Sequence, residues 1–174
     1  MIRAILGCWV LSIASVVAWA GETWPEFRGP TGDGHSDCRG LPVTWSETEN
    51  VAWKTTIPGR GWSSPVVWHR QIWLTTATPE GREMFAVCVD RETGEIVHNV
   101  KVFDTANPEP ISIVNSYASP TSVIEEGRVY VHYGTYGAAC LDTATGRTLW
   151  TRRDLNCDHH EGPGSSPILF ENLL

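Results

Sequence analysis

Several common signals are missing from this 174-residue sequence, and each absence excludes a class of function. Lys and Arg number 13 against 20 Asp and Glu, for a net charge of −7, and the basic residues nowhere cluster. Nucleic acid and an anionic membrane surface are therefore excluded as main partners. There is no Gly-rich phosphate loop and no Gly-x-Ser-x-Gly nucleophile elbow. No helical His-x-x-x-His pair offers two imidazoles to a metal. Beyond residue 20 no apolar run approaches the length of a membrane span, so no transmembrane span is expected in the mature chain.

The first 20 residues read as a cleaved leader. Arg3 supplies the positive start, Ala4 to Val17 the apolar stretch, and Ala18-Trp19-Ala20 the small residues read by a signal peptidase. Cleavage near Ala20/Gly21 would make the protein exported, periplasmic or secreted. A membrane anchor is the alternative, but the run is short and breaks into Gly21-Glu22. Ile5-Leu6-Gly7-Cys8 has almost no apolar segment before its cysteine, which weakens a lipidation reading.

What the sequence does have is repetition. Arg60-Gly61-Trp62-Ser63-Ser64-Pro65, Asn115-Ser116-Tyr117-Ala118-Ser119-Pro120 and Gly162-Pro163-Gly164-Ser165-Ser166-Pro167 are three versions of one phrase, each followed by a strand-like segment. A second phrase interleaves: Cys88-Val89-Asp90-Arg91-Glu92-Thr93-Gly94, then Cys140-Leu141-Asp142-Thr143-Ala144-Thr145-Gly146. A period of about 50 residues means stacked supersecondary units.

One unit predicts four strands: Pro65–Trp68, Gln71–Thr76, Met84–Val89 and Glu95–Val100. The Asp90–Gly94 turn has a clear mechanism. An aspartate accepts backbone N–H groups just ahead of it, and the glycine takes the left-handed position of the bulge. The second unit repeats this with Ser119–Ile124, Arg128–Tyr133, Ala138–Leu141, the Asp142–Gly146 turn and Arg147–Thr151. The expected fold is all-β, a partial β-propeller of four-stranded antiparallel blades. Cys88 and Cys140 occupy one repeat position and read as small buried strand residues. Cys38 and Cys157 lie in polar loops and are the candidates for a disulfide or a reactive pair in an oxidising compartment.

The run Cys140 to Trp150 resembles the tryptophan-docking motif that ends each blade of the pyrroloquinoline-quinone (PQQ) repeat family, Ala-x-Asp-x-x-x-Gly-Lys-x-x-Trp. Asp142, Gly146 and Trp150 match it, with Cys140 in place of the alanine. In the earlier copy Asp90 and Gly94 match, and His98 replaces the tryptophan. The resemblance implies that Trp150 is buried between blades and that His98 packs less well. Trp24 to Pro30 is similar to the start of exported PQQ-like propellers related to the outer-membrane assembly lipoprotein of the β-barrel machinery.

Propellers of the resembled family have about seven or eight blades. The sequence divides into a signal peptide (1–20), an N-terminal extension (21–50), an orphan outer strand (51–57), blade 1 (58–106), blade 2 (107–157) and the start of blade 3 (158–174). Two units and a start do not close a ring, so an N-terminal fragment is expected; a short protein that oligomerises into a ring is the alternative. Val51–Ile57 reads like Leu149–Leu155 and is expected to complete the last blade, with its strand partners outside residues 1–174.

Binding residues concentrate on the connectors that a rigid scaffold holds. The candidates are Arg60 and Trp62, then Asn115 and Tyr117, then His159, His160 and Glu161. Asp158-His159-His160-Glu161 invites a metal reading, but adjacent histidines on an extended loop point apart, and a solvated loop is the better reading. Asp90 and Asp142 read as turn formers. No catalytic residue and no metal site is assigned. Two functions remain: a noncatalytic scaffold or binding module with a protein or small-molecule ligand on its loop face, and a PQQ-dependent dehydrogenase of alcohols or sugars. The resemblance implies that the second would hold PQQ and calcium at a site in blades outside residues 1–174, and often a vicinal cysteine pair. No Cys-Cys occurs here.

Overall fold

In the computed structural model, which describes residues 23–155, 157–171 and 173–174, the chain is all-β. The leader expected over residues 1–20 lies outside the described residues. The first sheet comprises β1 (Val66–Trp68), β2 (Gln71–Ala77), β3 (Glu83–Asp90) and β4 (Ile96–Asp104), antiparallel in that order. The second comprises β5 (Val123–Glu125), β6 (Arg128–His132), β7 (Ala138–Asp142) and β8 (Thr148–Arg152), with the same order and sense. A single 3-10 turn, Gly134–Tyr136, lies between β6 and β7.

The two sheets are copies at the level of register. Cys88 lies opposite His98 and Cys140 opposite Trp150, and a bulge follows each cysteine. Both cysteines are fully buried, and burial pushes the Cys88 thiol up to about 12. The bulge leads into the aspartate turn that the sequence predicts. Asp90 Oδ1 accepts the N–H groups of Glu92 and Thr93, both at 2.9 Å. Asp142 Oδ1 accepts those of Ala144 at 3.1 Å and Thr145 at 2.8 Å, and the Thr145 hydroxyl at 2.7 Å. Gly94 and Gly146 then take left-handed conformations, φ 75° and 70°, which a side chain disfavours.

These glycines do more than turn the chain. A Cβ on Gly94 would come within 2.6 Å of the Trp53 ring, and one on Gly146 within 2.9 Å of the His98 ring. Each turn thus offers a bare backbone surface on which an aromatic ring from the preceding extended segment lies. Trp53 also donates its Nε1–H to the Arg91 carbonyl at 2.9 Å. The equivalent carbonyl in the second sheet, that of Thr143, accepts Gln71 Nε2 instead at 2.8 Å. Gln71 accepts Trp73 Nε1 at 3.0 Å, and Trp73 stacks on His98 with ring centroids 5.7 Å apart. Gln71 and His98 together therefore do the work that Trp53 does alone.

Val51–Ile57 joins no ladder among the described residues. Its half-buried Trp53, Thr55 and Ile57 alternate with exposed Ala52, Lys54 and Thr56, the period of an extended segment with one face covered. It lies over the first sheet's Asp turn as β4 lies over the second's. Trp150 is 39% exposed, whereas His98 is half-buried. His98 has Gly146 to lie on, while the ring beside Trp150 is that of Tyr130, tilted at 47° and 6.0 Å away.

Other expectations need correction at their ends. Strand pairing starts at Val123, not Ser119, because the Thr121 N–H donates to the Ser166 hydroxyl and not to a ladder partner. β4 runs on to Asp104, four residues past the expected end, because Lys101 and Asp104 remain in register with Phe85 and Glu83. Residues 165–170 form no strand. Phe170 instead exchanges two backbone hydrogen bonds with Leu173, closing a tight turn that includes Glu171 at φ 53°. One core joins the two sheets, with Trp73, Met84 and Phe103 of the first meeting Ile124, Val129 and Leu141 of the second around Tyr133.

Gly94→Ala should lose about 1–2 kcal/mol from its backbone conformation alone, and more because the Trp53 ring must move. Gly127→Ala is the control, since its φ is 75° but nothing lies within 4 Å of the added carbon. Urea midpoints should rank wild type, Gly127→Ala, Gly94→Ala in falling order; equal losses would show that the ring contact contributes nothing.

The same turns predict acid sensitivity. Asp90 is held below the ordinary carboxyl range chiefly by the Thr93 N–H, and Asp142 chiefly by the Thr145 hydroxyl. A carboxyl lowered on folding gives stability that is present above its unfolded value, about 3.9, and lost as pH falls through the folded one. Thermal midpoints should fall below about pH 4, and the fall should be shallower in the Asp90→Asn/Asp142→Asn double variant.

Candidate functional site

The site begins at the N-terminal extension. Trp24 exchanges two 2.8 Å backbone hydrogen bonds with Val67 of β1, and Pro25 accepts the Ile124 N–H of β5 at 2.9 Å. One short segment thus straps the innermost strands of both sheets at their seam. Gly29 is buried against the Trp24 ring, and the next turn is tied by Arg28, which donates from Nε to the Gly32 carbonyl at 3.0 Å and from Nη2 to that of Asp33 at 2.8 Å. Glu26, Phe27 and Arg28 are held in place where the strap leaves the sheets.

Opposite the strap stand the three repeated phrases. Trp62 and Ser63 both donate their N–H groups to the Ala118 carbonyl, at 3.0 and 3.2 Å. The Ser64 N–H reaches Thr121 Oγ1 at 3.0 Å, and the Thr121 N–H reaches Ser166 Oγ at 3.0 Å. Strap and connectors enclose a cleft of about 460 Å3, lined by Glu26, Phe27, Arg28, Trp62, Ser119, Thr121, Ser166 and Ile168 with Gly32 and Gly164.

Its chemistry is mixed. Trp62 and Phe27 are each 55% exposed, and the Arg60 guanidinium lies 5.9 Å over the Trp62 ring. Thr121 forms part of the wall and is 2% exposed. The hydroxyls of Thr121 and Ser166 each accept a backbone N–H, so each keeps its own hydrogen to donate. The half-buried Glu26 carboxylate has no partner among the described residues.

Of the residues expected here, Trp62 lines the cleft and Arg60 braces it. The rest are elsewhere. Asn115 is a structural hub: its Nδ2 donates to the Glu161 carbonyl at 2.6 Å and the Pro163 carbonyl at 3.3 Å, and its Oδ1 accepts from Ser116 N and Ser119 Oγ. Tyr117 is buried on Gly81 and donates to the Glu109 carbonyl at 2.8 Å. His159 packs on Gly134 and accepts the Thr135 N–H at 3.3 Å, with its Nδ1 buried and unpartnered. His160 and the Glu161 side chain are exposed and do not meet it. Among the described residues no three His, Cys, Asp or Glu side chains group as metal ligands. Cys38 and Cys157 are free thiols, not a pair.

The strap residues Glu26 to Arg28 and the hydroxyls of Thr121 and Ser166 were missed as site residues. One signal was available. Thr121 holds the repeat position of Val66 and Ile168, a polar residue where the other copies are apolar. The chain matches no protein-family model and no curated protein. No helix among the described residues is long and apolar enough to cross a membrane.

Asn115→Ala should cost about 1–3 kcal/mol, because it leaves partly buried carbonyls and an N–H unsatisfied. The connector 157–164 should also become more sensitive to limited proteolysis, which distinguishes a local anchor from a general loss of stability.

Proposed function

We propose that the protein is an exported, noncatalytic binding module of the PQQ-like propeller kind, whose ligand site is the cleft between the N-terminal strap and the connectors. The observation that carries this reading is the convergence of three equivalent phrases from a repeated scaffold on one cleft. That cleft holds a carboxylate without a partner among the described residues and two exposed aromatic side chains. Rigid strands supporting variable connectors are the usual arrangement of a binding surface. In this proposal Val51–Ile57 stands in the place of a preceding unit's outer strand, which accords with a ring closed by strands from distant parts of the chain. The expected leader accords with export.

The lining of this cleft does not suit PQQ. PQQ is a planar tricarboxylate and would want cations facing it, but the untied ionic group in the cleft is Glu26, of the same sign. Arg28 already spends two of its N–H groups on carbonyls. Calcium needs six to eight oxygens, usually including several from carboxylates, and among the described residues Glu26 is the one carboxylate lining the cleft.

Two measurements test the proposal. A fragment library screened against the 15N-labelled full chain should shift backbone resonances around Trp62, Thr121 and Ser166; shifts confined to other surfaces would refute the site. Incubation with PQQ and calcium, followed by dye-coupled oxidation of alcohols and sugars, should give no turnover, and sustained turnover would overturn the noncatalytic reading.

A further inference from the structure

Resting on that binding reading, we infer that the cleft takes a neutral saccharide of one or two rings. Its volume, about 460 Å3, falls in the range of small-molecule sites. Charge then narrows the ligand. An anion would meet the Glu26 carboxylate, and the Arg28 guanidinium is tied at Nε and Nη2 to backbone carbonyls. A cation would find Glu26, but the rim carries Arg28, and Arg60 already lies over the Trp62 ring. A compact uncharged ligand avoids both conflicts.

The polar groups specify its functional groups. Glu26 offers acceptors alone, and a pair of hydroxyl hydrogens on one ligand satisfies a carboxylate without a counter-charge. Thr121 and Ser166 present the complement, hydroxyls that accept backbone N–H groups and remain free to donate. A ligand that donates to one wall and accepts from the other must carry several hydroxyls. The open faces of Trp62 and Phe27 ask for an apolar flat surface on the same molecule. A pyranose ring has both: equatorial hydroxyls at its edge and a face of C–H groups. A simple alcohol lacks the face, and an aliphatic peptide side chain lacks the edge.

The test uses the full chain and three probes, maltose, cellobiose and N,N′-diacetylchitobiose, read by saturation-transfer NMR and by the 15N shift of the Trp62 indole. At least one should bind with Kd below about 1 mM, moving that indole resonance. Glu26→Gln and Trp62→Ala should each weaken binding at least about tenfold, or about 1.4 kcal/mol. Both residues are at the surface or half-buried, and unchanged urea midpoints would show that the variants fold. Trp45→Ala is the control: Trp45 is 70% exposed but not part of the cleft, and the variant should bind like wild type. Failure of all three sugars while fragments still map to the cleft overturns the saccharide assignment and leaves the binding module standing. Failure of sugars and fragments alike overturns both. Sugar binding that survives Glu26→Gln and Trp62→Ala places the ligand elsewhere and also refutes the inference.

Discussion

A ring from one extended segment lies on the bare glycine of the next sheet's aspartate turn, and the stacking of the sheets depends on that contact. It occurs with Trp53 on Gly94 and again with His98 on Gly146. The contact requires three local features at once: an aspartate to hold the turn, a glycine to leave its backbone uncovered, and an aromatic ring at a fixed place in the neighbouring strand. Each feature is a sequence feature, which is why the repeat is visible in the chain. None is sufficient alone, since a Cβ at the glycine would exclude the ring.

The second instance shows how much variation the contact tolerates. Histidine is smaller than tryptophan and leaves its Nε2 buried without a partner, a cost that an indole avoids. Gln71 reaches across to the Thr143 carbonyl and accepts from Trp73, so the hydrogen bonds close even though the ring does not span them. The energetic requirement belongs to the carbonyl and the groove, and different side chains can meet it.

Local signals were legible in the sequence and environmental ones were not. The Asp90 and Asp142 turns, the paired cysteines and the four-strand order follow from short-range chemistry. The burial of Trp150 depended on a neighbour across the sheet face, and no short-range rule supplies one. Asn115, Tyr117 and His159 looked like ligand-binding residues because they are polar or aromatic and sit on connectors. In the fold, the same connectors bring backbone carbonyls and N–H groups out of solvent, and these side chains satisfy them. The bound partner is the protein's own backbone.

That requirement also explains why the cleft has its polarity. Where Ser64 and Thr121 leave their ladders, their N–H groups lose strand partners and are capped by the hydroxyls of Thr121 and Ser166. A hydroxyl that accepts such a bond keeps a hydrogen that it can donate. Glu26 enters the same space because Trp24 and Pro25 are pinned to both sheets, which fixes where the following residues project. The donors of the cleft therefore arise from ending strands at a seam, and its acceptor from strapping that seam. A cleft built this way moves only if the sheets move, so its shape is set by the same stacking contact that holds the fold together.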